Sequence, residues 1–184
     1  MSYLLVSPLS RIAEVAALHG AREMVSVLAS NQQFHRPAVI DATRHLRVDV
    51  HDIVADADGL IAPQVAHVER ILAFAANWDR RAPLIVHCWM GISRSPAVAL
   101  LIALALCPDQ DEDELARRLR AASPFPTPNA RLVAIGDDIL GRDGRLVRAV
   151  HAIGRGADAY EGLPFALTVS QSDPPPRLSG AVKR

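Results

Sequence analysis

Cysteine is scarce in this chain, and only Cys88 and Cys107 occur among its 184 residues. Two cysteines cannot build the disulfide framework that stabilises small secreted proteins. The first ten residues, MSYLLVSPLS, lack the basic start of a secretory signal and are interrupted by Pro8. We therefore expect a cytoplasmic protein whose thiols stay reduced.

The chain also lacks a net charge, because its 20 basic and 20 acidic residues balance. An excess of positive charge is the usual sign of a protein that binds nucleic acid or an anionic membrane. Neither nucleic acid nor an anionic membrane is therefore predicted as a partner.

The longest apolar run, residues 97–107, is too short to span a bilayer. The seven histidines show none of the H-x-H or HExxH spacings of metal ligands, so we predict no metal site and no cofactor.

Half of the residues are hydrophobic, enough for one domain with a buried core. Four apolar runs have the length of strands: residues 3–6, 24–28, 45–50 and 84–87. Because they alternate with segments of helical period, we predict an α/β fold, a single domain with a central parallel sheet of about four strands flanked by helices. This domain is predicted to span residues 1–168, and the proline-rich residues 169–184 to form a disordered tail.

The segment VHCWMGISRSPA, residues 86–97, places Cys88 between an apolar strand and the start of a helix. Gly91 allows a turn, and Pro96 is tolerated in the first turn of the helix. Backbone N–H groups of such a loop, with the positive end of the helix, form a concavity suited to a doubly charged phosphate. The same field favours the reactive thiolate form of a cysteine, and Arg94 can hold two phosphate oxygens in a bidentate fork.

This segment resembles the C-x5-R loop of the cysteine-dependent protein tyrosine phosphatases. It fits the HCxxGxSRS form of the dual-specificity branch and is similar to small bacterial predicted tyrosine phosphatases of that type. The matching residues are His87, Cys88, Gly91, Ser93, Arg94 and Ser95. Downstream, SPFPTPNARL resembles the RPxIxPNxGF stretch of the family, with Pro128 and Asn129 at its PN pair. The resemblance spans residues 3–153.

The resemblance implies a cysteinyl-phosphate intermediate on Cys88. It implies that the Ser95 hydroxyl helps to expel the sulfur when this intermediate is hydrolysed, and that His87 holds the loop rather than reacting. Inorganic phosphate or sulfate is expected to bind in the loop. The predicted phosphate-binding residues are Trp89, Met90, Gly91, Ile92, Ser93 and Arg94.

The resemblance also implies an upstream aspartic acid that protonates the leaving oxygen and then activates water. In the segment HLRVDVHD, Asp52 occupies the position that matches the family pattern. Asp49 alternates with Val48 and Val50 in the predicted strand 45–50, which is the pattern of an ordinary carboxylate on one face of a strand. Asp56 and Asp58 lie in the segment ADADG, where aspartate commonly serves a turn. We favour Asp52 as the general acid and keep Asp56 and Asp58 as alternatives.

The expected function is hydrolysis of phosphomonoesters by an enzyme of the protein tyrosine phosphatase type, acting on a phosphorylated protein or a small phosphomonoester. Two other functions stay open. A thiol-based oxyanion reductase would need a resolving thiol, for which Cys107 is the one candidate. A non-catalytic phosphate-binding module would use the same loop without turnover. Residues 31–44 are predicted to form a loop whose Phe34, His35 and Arg36 are available to line the site.

Overall fold

The structure is a computed structural model that describes residues 2–170. Five strands form one sheet: β1 (Tyr3–Pro8), β2 (Glu23–Leu28), β3 (His45–Asp49), β4 (Leu84–Cys88) and β5 (Phe165–Thr168). The helices are α1 (Ile12–His19), α2 (Val65–Ala76), α3 (Arg94–Leu106), α4 (Glu112–Ala122), α5 (Ala130–Ile139) and α6 (Arg145–Ala152). Short 3-10 turns occupy Leu9–Arg11 and Ala42–Arg44.

The sheet has the strand order β3-β2-β4-β1-β5. The first four strands are parallel, which confirms the predicted sheet. The fifth is antiparallel to β1, with Thr168 opposite Tyr3, and the sequence did not predict it as a strand. Its four residues are too few to show the alternation of a strand in the sequence. They form a strand because they pair with β1, a contact that the local sequence does not reveal. The carboxyl ends of β1 to β4 meet at one edge, where α/β proteins bind ligands.

Helices cover both faces of the sheet. Helix α1 packs on one face against Leu5, Met24 and Ile85. The other face carries the larger core, in which α3 lies between the sheet and the outer helices. Residues 94–104 of α3 are all buried, and this placement explains why the helix is apolar on nearly every side. The start of α3 is thereby fixed beside the carboxyl end of β4.

The packed part of the chain extends slightly further than predicted. Val169, predicted as the first residue of the tail, is buried, and its N–H donates to the carbonyl oxygen of Ser2 at 3.0 Å. Residues 171–184 of the predicted tail lie outside the described residues. Within residues 2–170, no helix combines the length and the apolar character needed to cross a membrane.

Candidate active site

Cys88 is the last residue of β4 and lies at the carboxyl edge of the sheet. Its side chain is almost completely buried. The Sγ atom lies 3.1 Å from Oγ of Ser95, and it accepts a hydrogen bond from the backbone N–H of Gly91 at 3.3 Å. When the sulfur is a thiolate, the Ser95 hydroxyl must also be a donor, so both contacts stabilise the negatively charged form.

In the first half of the loop between β4 and α3, the carbonyl groups of Trp89 and Met90 are held turned outward. The carbonyl oxygen of Trp89 accepts from the N–H of Leu9 at 3.1 Å. That of Met90 accepts from the N–H of Gly162 at 2.9 Å. The carbonyl and N–H groups of a trans peptide point in opposite directions, so the N–H groups that follow turn inward. The N–H of Gly91 shows this directly, because it points at the sulfur.

The second half of the loop is held in the same way. The carbonyl oxygen of Ile92 accepts from the N–H of Thr127 at 2.9 Å. The carbonyl oxygen of Ser93 accepts from the N–H of Asn129 at 3.2 Å. Outward carbonyls on both halves leave a concave set of inward N–H groups, which is the arrangement that binds anions in proteins.

Glycine is required at position 91 for two reasons. Its φ angle is +70°, a conformation that residues with a side chain rarely adopt. A Cβ atom built at this position would also lie only 2.7 Å from the backbone nitrogen of Pro8 at the end of β1. The close contact with β1 therefore fixes the turn beside the sulfur.

Arg94 is the first residue of α3, and only 4% of its surface is exposed. One terminal nitrogen, Nη1, donates to the carbonyl oxygen of Val50 at 2.8 Å. Its Nε is buried, has no hydrogen-bond partner in the described part of the chain, and lies 3.8 Å from Oδ2 of Asp52. A buried guanidinium N–H without a protein partner is suited to an anionic ligand.

Asp52 lies in the loop that follows β3, and its side chain reaches residues 88–94, which we call the phosphate loop after the role predicted from the sequence. Its Oδ1 accepts hydrogen bonds from Oγ of Ser93 at 2.7 Å and from Nδ2 of Asn129 at 2.8 Å. Asn129 also begins α5, because its Oδ1 accepts from the N–H of Leu132. Among the described residues no hydrogen bond engages Oδ2, the oxygen nearer to Arg94. A ligand bound beside Arg94 would therefore meet Oδ2 rather than Oδ1.

The other three aspartates have different surroundings. Asp49 is paired with Arg47 at 2.8 Å, and Asp56 is paired with Arg131 at 2.9 Å. Asp58 is exposed on the loop surface. In the described part of the chain, none of these three carboxylates forms a hydrogen bond or an ion pair with residues 88–94.

His87 points away from Cys88, because consecutive residues of a strand face opposite sides of the sheet. Its Nε2 lies 2.6 Å from Oγ of Ser26, which in turn lies 2.8 Å from Nε2 of His45. Burial lowers the pKa of His87 to about 3 and that of His45 to about 4. Both rings are therefore neutral near neutral pH, and the single Ser26 proton is donated to one ring while the other ring donates to the Ser26 oxygen.

Phe34 does not line the site, which corrects the sequence prediction. Its ring meets the ring of His87 edge-on, with centroids 5.2 Å apart. Since His87 faces the side of the sheet opposite to Cys88, Phe34 supports the loop from behind. His35 and Arg36, from the same predicted loop, are exposed.

Several residues that hold the site were not singled out from the sequence. Ser26 had a signal, because it is a polar residue in the middle of the apolar strand EMVSVL. Gly162 had none, since its role depends on a long return of the chain that brings it back to Met90. Val50 contributes only its backbone carbonyl, so the identity of its side chain gives no signal in the sequence.

Cys107 is distant from Cys88. Cys88 lies at the end of β4 beside the first turn of α3, whereas Cys107 follows the last residue of that helix. The 13 residues of α3 separate them, and a helix of that length is about 20 Å long. A disulfide needs Cα atoms within about 7 Å, so this geometry gives Cys88 no resolving partner in Cys107.

Comparison with known proteins agrees with this architecture. No protein-family model matches the chain, and no curated protein sequence matches it. Solved structures do match, and they show that the chain has the fold of the dual-specificity phosphatases. Because the sequence identities lie at or below 24%, the likeness concerns the fold.

Three of these structures illustrate the match. Human DUSP28 is 21% identical, with a TM-score of 0.55, and the alignment covers 74% of this chain and 93% of that one. A mouse putative dual specificity phosphatase complexed with zinc tungstate is 24% identical, with a TM-score of 0.52 and coverage of 75% and 79%. The human tyrosine phosphatase-like serine/threonine/tyrosine-interacting protein is 18% identical, with a TM-score of 0.55 and coverage of 74% and 87%.

Proposed function

We propose that this protein is a cysteine-dependent phosphomonoester hydrolase of the protein tyrosine phosphatase type, in the dual-specificity branch. The observations that carry the proposal are the Cys88 sulfur, which accepts from the inward N–H of Gly91 at 3.3 Å, and the buried Nε of Arg94, which has no hydrogen-bond partner in the described part of the chain. Asp52 lies beside Arg94, with Oδ2 3.8 Å from that Nε. Its substrate is a phosphorylated protein or a small phosphomonoester.

In the first step, the phosphoryl group lies in the loop with its oxygens bonded to the backbone N–H groups and to Arg94. The Cys88 thiolate attacks phosphorus, an S–P bond forms, and the P–O bond to the alcohol breaks. Protonated Asp52 gives its proton to the departing oxygen, so the alcohol leaves neutral.

In the second step, ionised Asp52 accepts a proton from a water molecule, and the resulting hydroxide attacks phosphorus. The S–P bond breaks, and the electron pair returns to sulfur as the thiolate. The Ser95 hydroxyl, 3.1 Å from Sγ, stabilises that departing thiolate by a hydrogen bond. The product is inorganic phosphate, and every step uses side chains of this chain without a cofactor.

Two observations support an oxyanion in the loop. The first is the buried Nε of Arg94, which has no partner in the described part of the protein. The second is that the similar mouse phosphatase was obtained in complex with zinc tungstate, an oxyanion salt. We accordingly expect inorganic phosphate or sulfate to bind here as competitive inhibitors of hydrolysis.

The two cysteines provide a matched test of the nucleophile. We expect Cys88→Ser to lower the hydrolysis of a small aryl phosphate by about a thousandfold or more, because serine is far less nucleophilic than a thiolate. Cys107→Ser, at the far end of α3, should retain wild-type turnover. Steady-state kinetics without added metal measure both. Phosphate binding with no turnover in the wild type would favour the non-catalytic module, and equal loss in both variants would contradict the assignment of Cys88.

The aspartates allow a second matched test. We expect Asp52→Asn to lower kcat by about 100-fold to 10,000-fold, the usual contribution of a general acid. The loss should be greatest for substrates whose alcohols are poor leaving groups. Asp58→Asn, in the same loop but exposed, should stay within about twofold of the wild type. A greater loss in Asp58→Asn than in Asp52→Asn would move the acid to Asp58.

A further inference from the structure

The loop after β3, which carries Asp52, is closed at its base by two hydrogen bonds between the same two residues. The backbone N–H of His51 donates to the carbonyl oxygen of Ile61 at 2.7 Å. In the opposite direction, the backbone N–H of Ile61 donates to Nδ1 of the His51 ring at 2.9 Å. Compact surface loops whose ends meet in this way are frequently functional. Asp52 is the first residue inside this closure.

The acceptor of the second bond makes the closure depend on the side chain at position 51. When two residues of antiparallel chains exchange a pair of hydrogen bonds, each normally uses its backbone N–H and carbonyl groups. Here His51 donates with its backbone N–H but accepts with its ring. A ring nitrogen that accepts a hydrogen bond carries no proton, so the ring proton lies on Nε2. A residue without an acceptor at this place could not close the loop in the same way.

The peptide unit just before Asp52 links this closure to Arg94. The carbonyl oxygen of Val50 accepts from Nη1 of Arg94 at 2.8 Å. The N–H of the same peptide unit belongs to His51 and donates to Ile61. The carbonyl and N–H groups of a trans peptide point in opposite directions, so this unit lies between the guanidinium and the base of the loop. The backbone is therefore fixed as far as His51, one residue before the proposed general acid.

Beyond its base the loop is held more weakly. Residues 54–61 are all exposed. Asp56 pairs with Arg131 at 2.9 Å, but Asp56 is 81% exposed, and such pairs contribute little because water and salt screen them. The bond from Nδ2 of Asn129 to the carbonyl oxygen of Ile53 is long, at 3.4 Å. The two shorter bonds at the base therefore restrain the backbone beside the proposed general acid more strongly than these contacts do.

Resting on the function proposed above, we infer that His51 is a positioning residue for the general acid: its Nδ1 keeps the loop closed and so holds the Asp52 carboxylate beside Arg94. A general acid must lie within hydrogen-bond reach of the oxygen that it protonates, so a small displacement of Asp52 slows proton transfer. The effect is confined to substrates whose leaving oxygen needs a proton. This dependence on the leaving alcohol distinguishes positioning from general damage to the fold.

Three substitutions at position 51 separate the acceptor from the shape of the side chain. In His51→Asn the amide oxygen takes the place of Nδ1 and can accept from the N–H of Ile61, whereas the near-isosteric His51→Leu has no acceptor. His51→Gln is a second loss variant that stays polar, with its amide one bond further from the backbone. His67 provides the matched control, because its Nδ1 accepts from the backbone N–H of Gln64 at 3.1 Å at the start of α2. His67→Leu thus removes the same kind of bond outside this loop.

Steady-state kinetics would compare kcat/KM for phenyl phosphate, whose alcohol is a poor leaving group, and for para-nitrophenyl phosphate, whose alcohol is a good one. We expect His51→Leu and His51→Gln to lower kcat/KM for phenyl phosphate by about threefold to tenfold, the effect of one hydrogen bond. The value for para-nitrophenyl phosphate should fall by less than about twofold, because this alcohol leaves without a proton. His51→Asn and His67→Leu should stay within about twofold of the wild type on both substrates.

The outcomes separate this inference from the proposed function. Absence of turnover in the wild type would overturn the proposed function. A selective loss on phenyl phosphate in Asp52→Asn, with wild-type kinetics in His51→Leu and His51→Gln, would overturn only the role of His51. Equal losses on both substrates in the two His51 loss variants would also overturn it, because they would indicate damage to the fold. So would a loss in His51→Asn as large as that in His51→Leu.

Discussion

Two loops at the same edge of the sheet carry the candidate catalytic groups, and the protein holds them in different ways. The loop from Cys88 to Arg94 is built largely of buried or half-buried residues, and backbone N–H groups from three separate segments of the chain fix its carbonyls. The loop after β3 is closed at its base, where the N–H of His51 donates to the carbonyl of Ile61 at 2.7 Å. Most residues between them are exposed.

Under the proposed function, this difference matches the unlike demands that phosphate binding and proton transfer place on the chain. The phosphate loop must present several N–H groups in a fixed geometry, and a backbone locked on all sides achieves this. The loop after β3, called the acid loop below, must present one carboxylate. Two side-chain hydrogen bonds to Asp52 and the closed base of the loop suffice to hold that carboxylate in place. Changes to the backbone should therefore damage the first loop far more than the second.

Two glycines with nearly the same backbone conformation test this contrast most strongly. Gly91 in the phosphate loop has φ +70° and no room for a Cβ, whereas Gly59 in the acid loop has φ +74° and open space around it. We expect Gly91→Ala to cost about 3 kcal/mol or more in the free energy of unfolding and to abolish phosphate binding. Gly59→Ala should cost about 1 kcal/mol, from the strained φ alone.

Denaturant unfolding and phosphate calorimetry on both variants would measure these effects. Similar losses of stability and of phosphate affinity in the two variants would remove the distinction between the loops.

The buried support behind Cys88 predicts a loss of stability in acid. The pKa of His87 is lowered to about 3 in the folded protein by burial, from an ordinary value of 6.5. Between these values the unfolded chain binds a proton that the folded chain does not, so the free energy of unfolding falls as the pH falls. The slope is about 1.4 kcal/mol per pH unit for one such group, which gives about 2 kcal/mol at pH 5.

His45, whose pKa is lowered to about 4 mainly by burial, acts in the same direction. Well above pH 6.5 both rings are neutral in both states and the dependence disappears. Denaturant unfolding of the wild type and of His87→Gln across this range would isolate the contribution of His87. The variant should show a shallower slope, and parallel curves for the two proteins would contradict the prediction.

The contact between Asn129 and Asp52 predicts a smaller effect, confined to the acid loop. Asn129→Ser keeps a side chain that can begin α5, but it removes the Nδ2 donor that lies 2.8 Å from Oδ1 of Asp52. We expect kcat to fall by about threefold to tenfold, the effect of one ordinary hydrogen bond, with stability nearly unchanged.

Asn129→Ala should add a loss of stability of about 1 kcal/mol, because it also removes the helix cap. Wild-type kcat in Asn129→Ser combined with reduced kcat in Asn129→Ala would show that Asn129 acts only through the helix.

The contrast between the loops also explains what the sequence could predict. The phosphate loop is contiguous, so its chemistry follows from a fixed spacing between Cys88, Gly91 and Arg94 that is visible in the sequence. The four parallel strands were equally visible, because each is an apolar run with its own length and boundaries. Local signals sufficed for both features.

Features that depend on distant parts of the chain were not visible. Three aspartates, Asp52, Asp56 and Asp58, were candidates for the acid by sequence, and only the folded chain shows that Asp52 meets Ser93 and Asn129. The support of the Met90 carbonyl by Gly162, and the position of Phe34 behind the sheet, likewise depend on tertiary packing. Such contacts join residues far apart in the chain, where no local pattern predicts a neighbour.

The most direct test of the proposed function is to trap the covalent intermediate. Wild type and Ser95→Ala would be mixed with an aryl phosphate, quenched in acid within the first turnover and examined by peptide mass spectrometry. We predict one phosphoryl group on the peptide that contains Cys88, at higher occupancy in Ser95→Ala, because the Ser95 hydroxyl no longer assists the departing sulfur. Turnover with no label on Cys88, or with the label on another residue, would contradict the cysteinyl-phosphate mechanism.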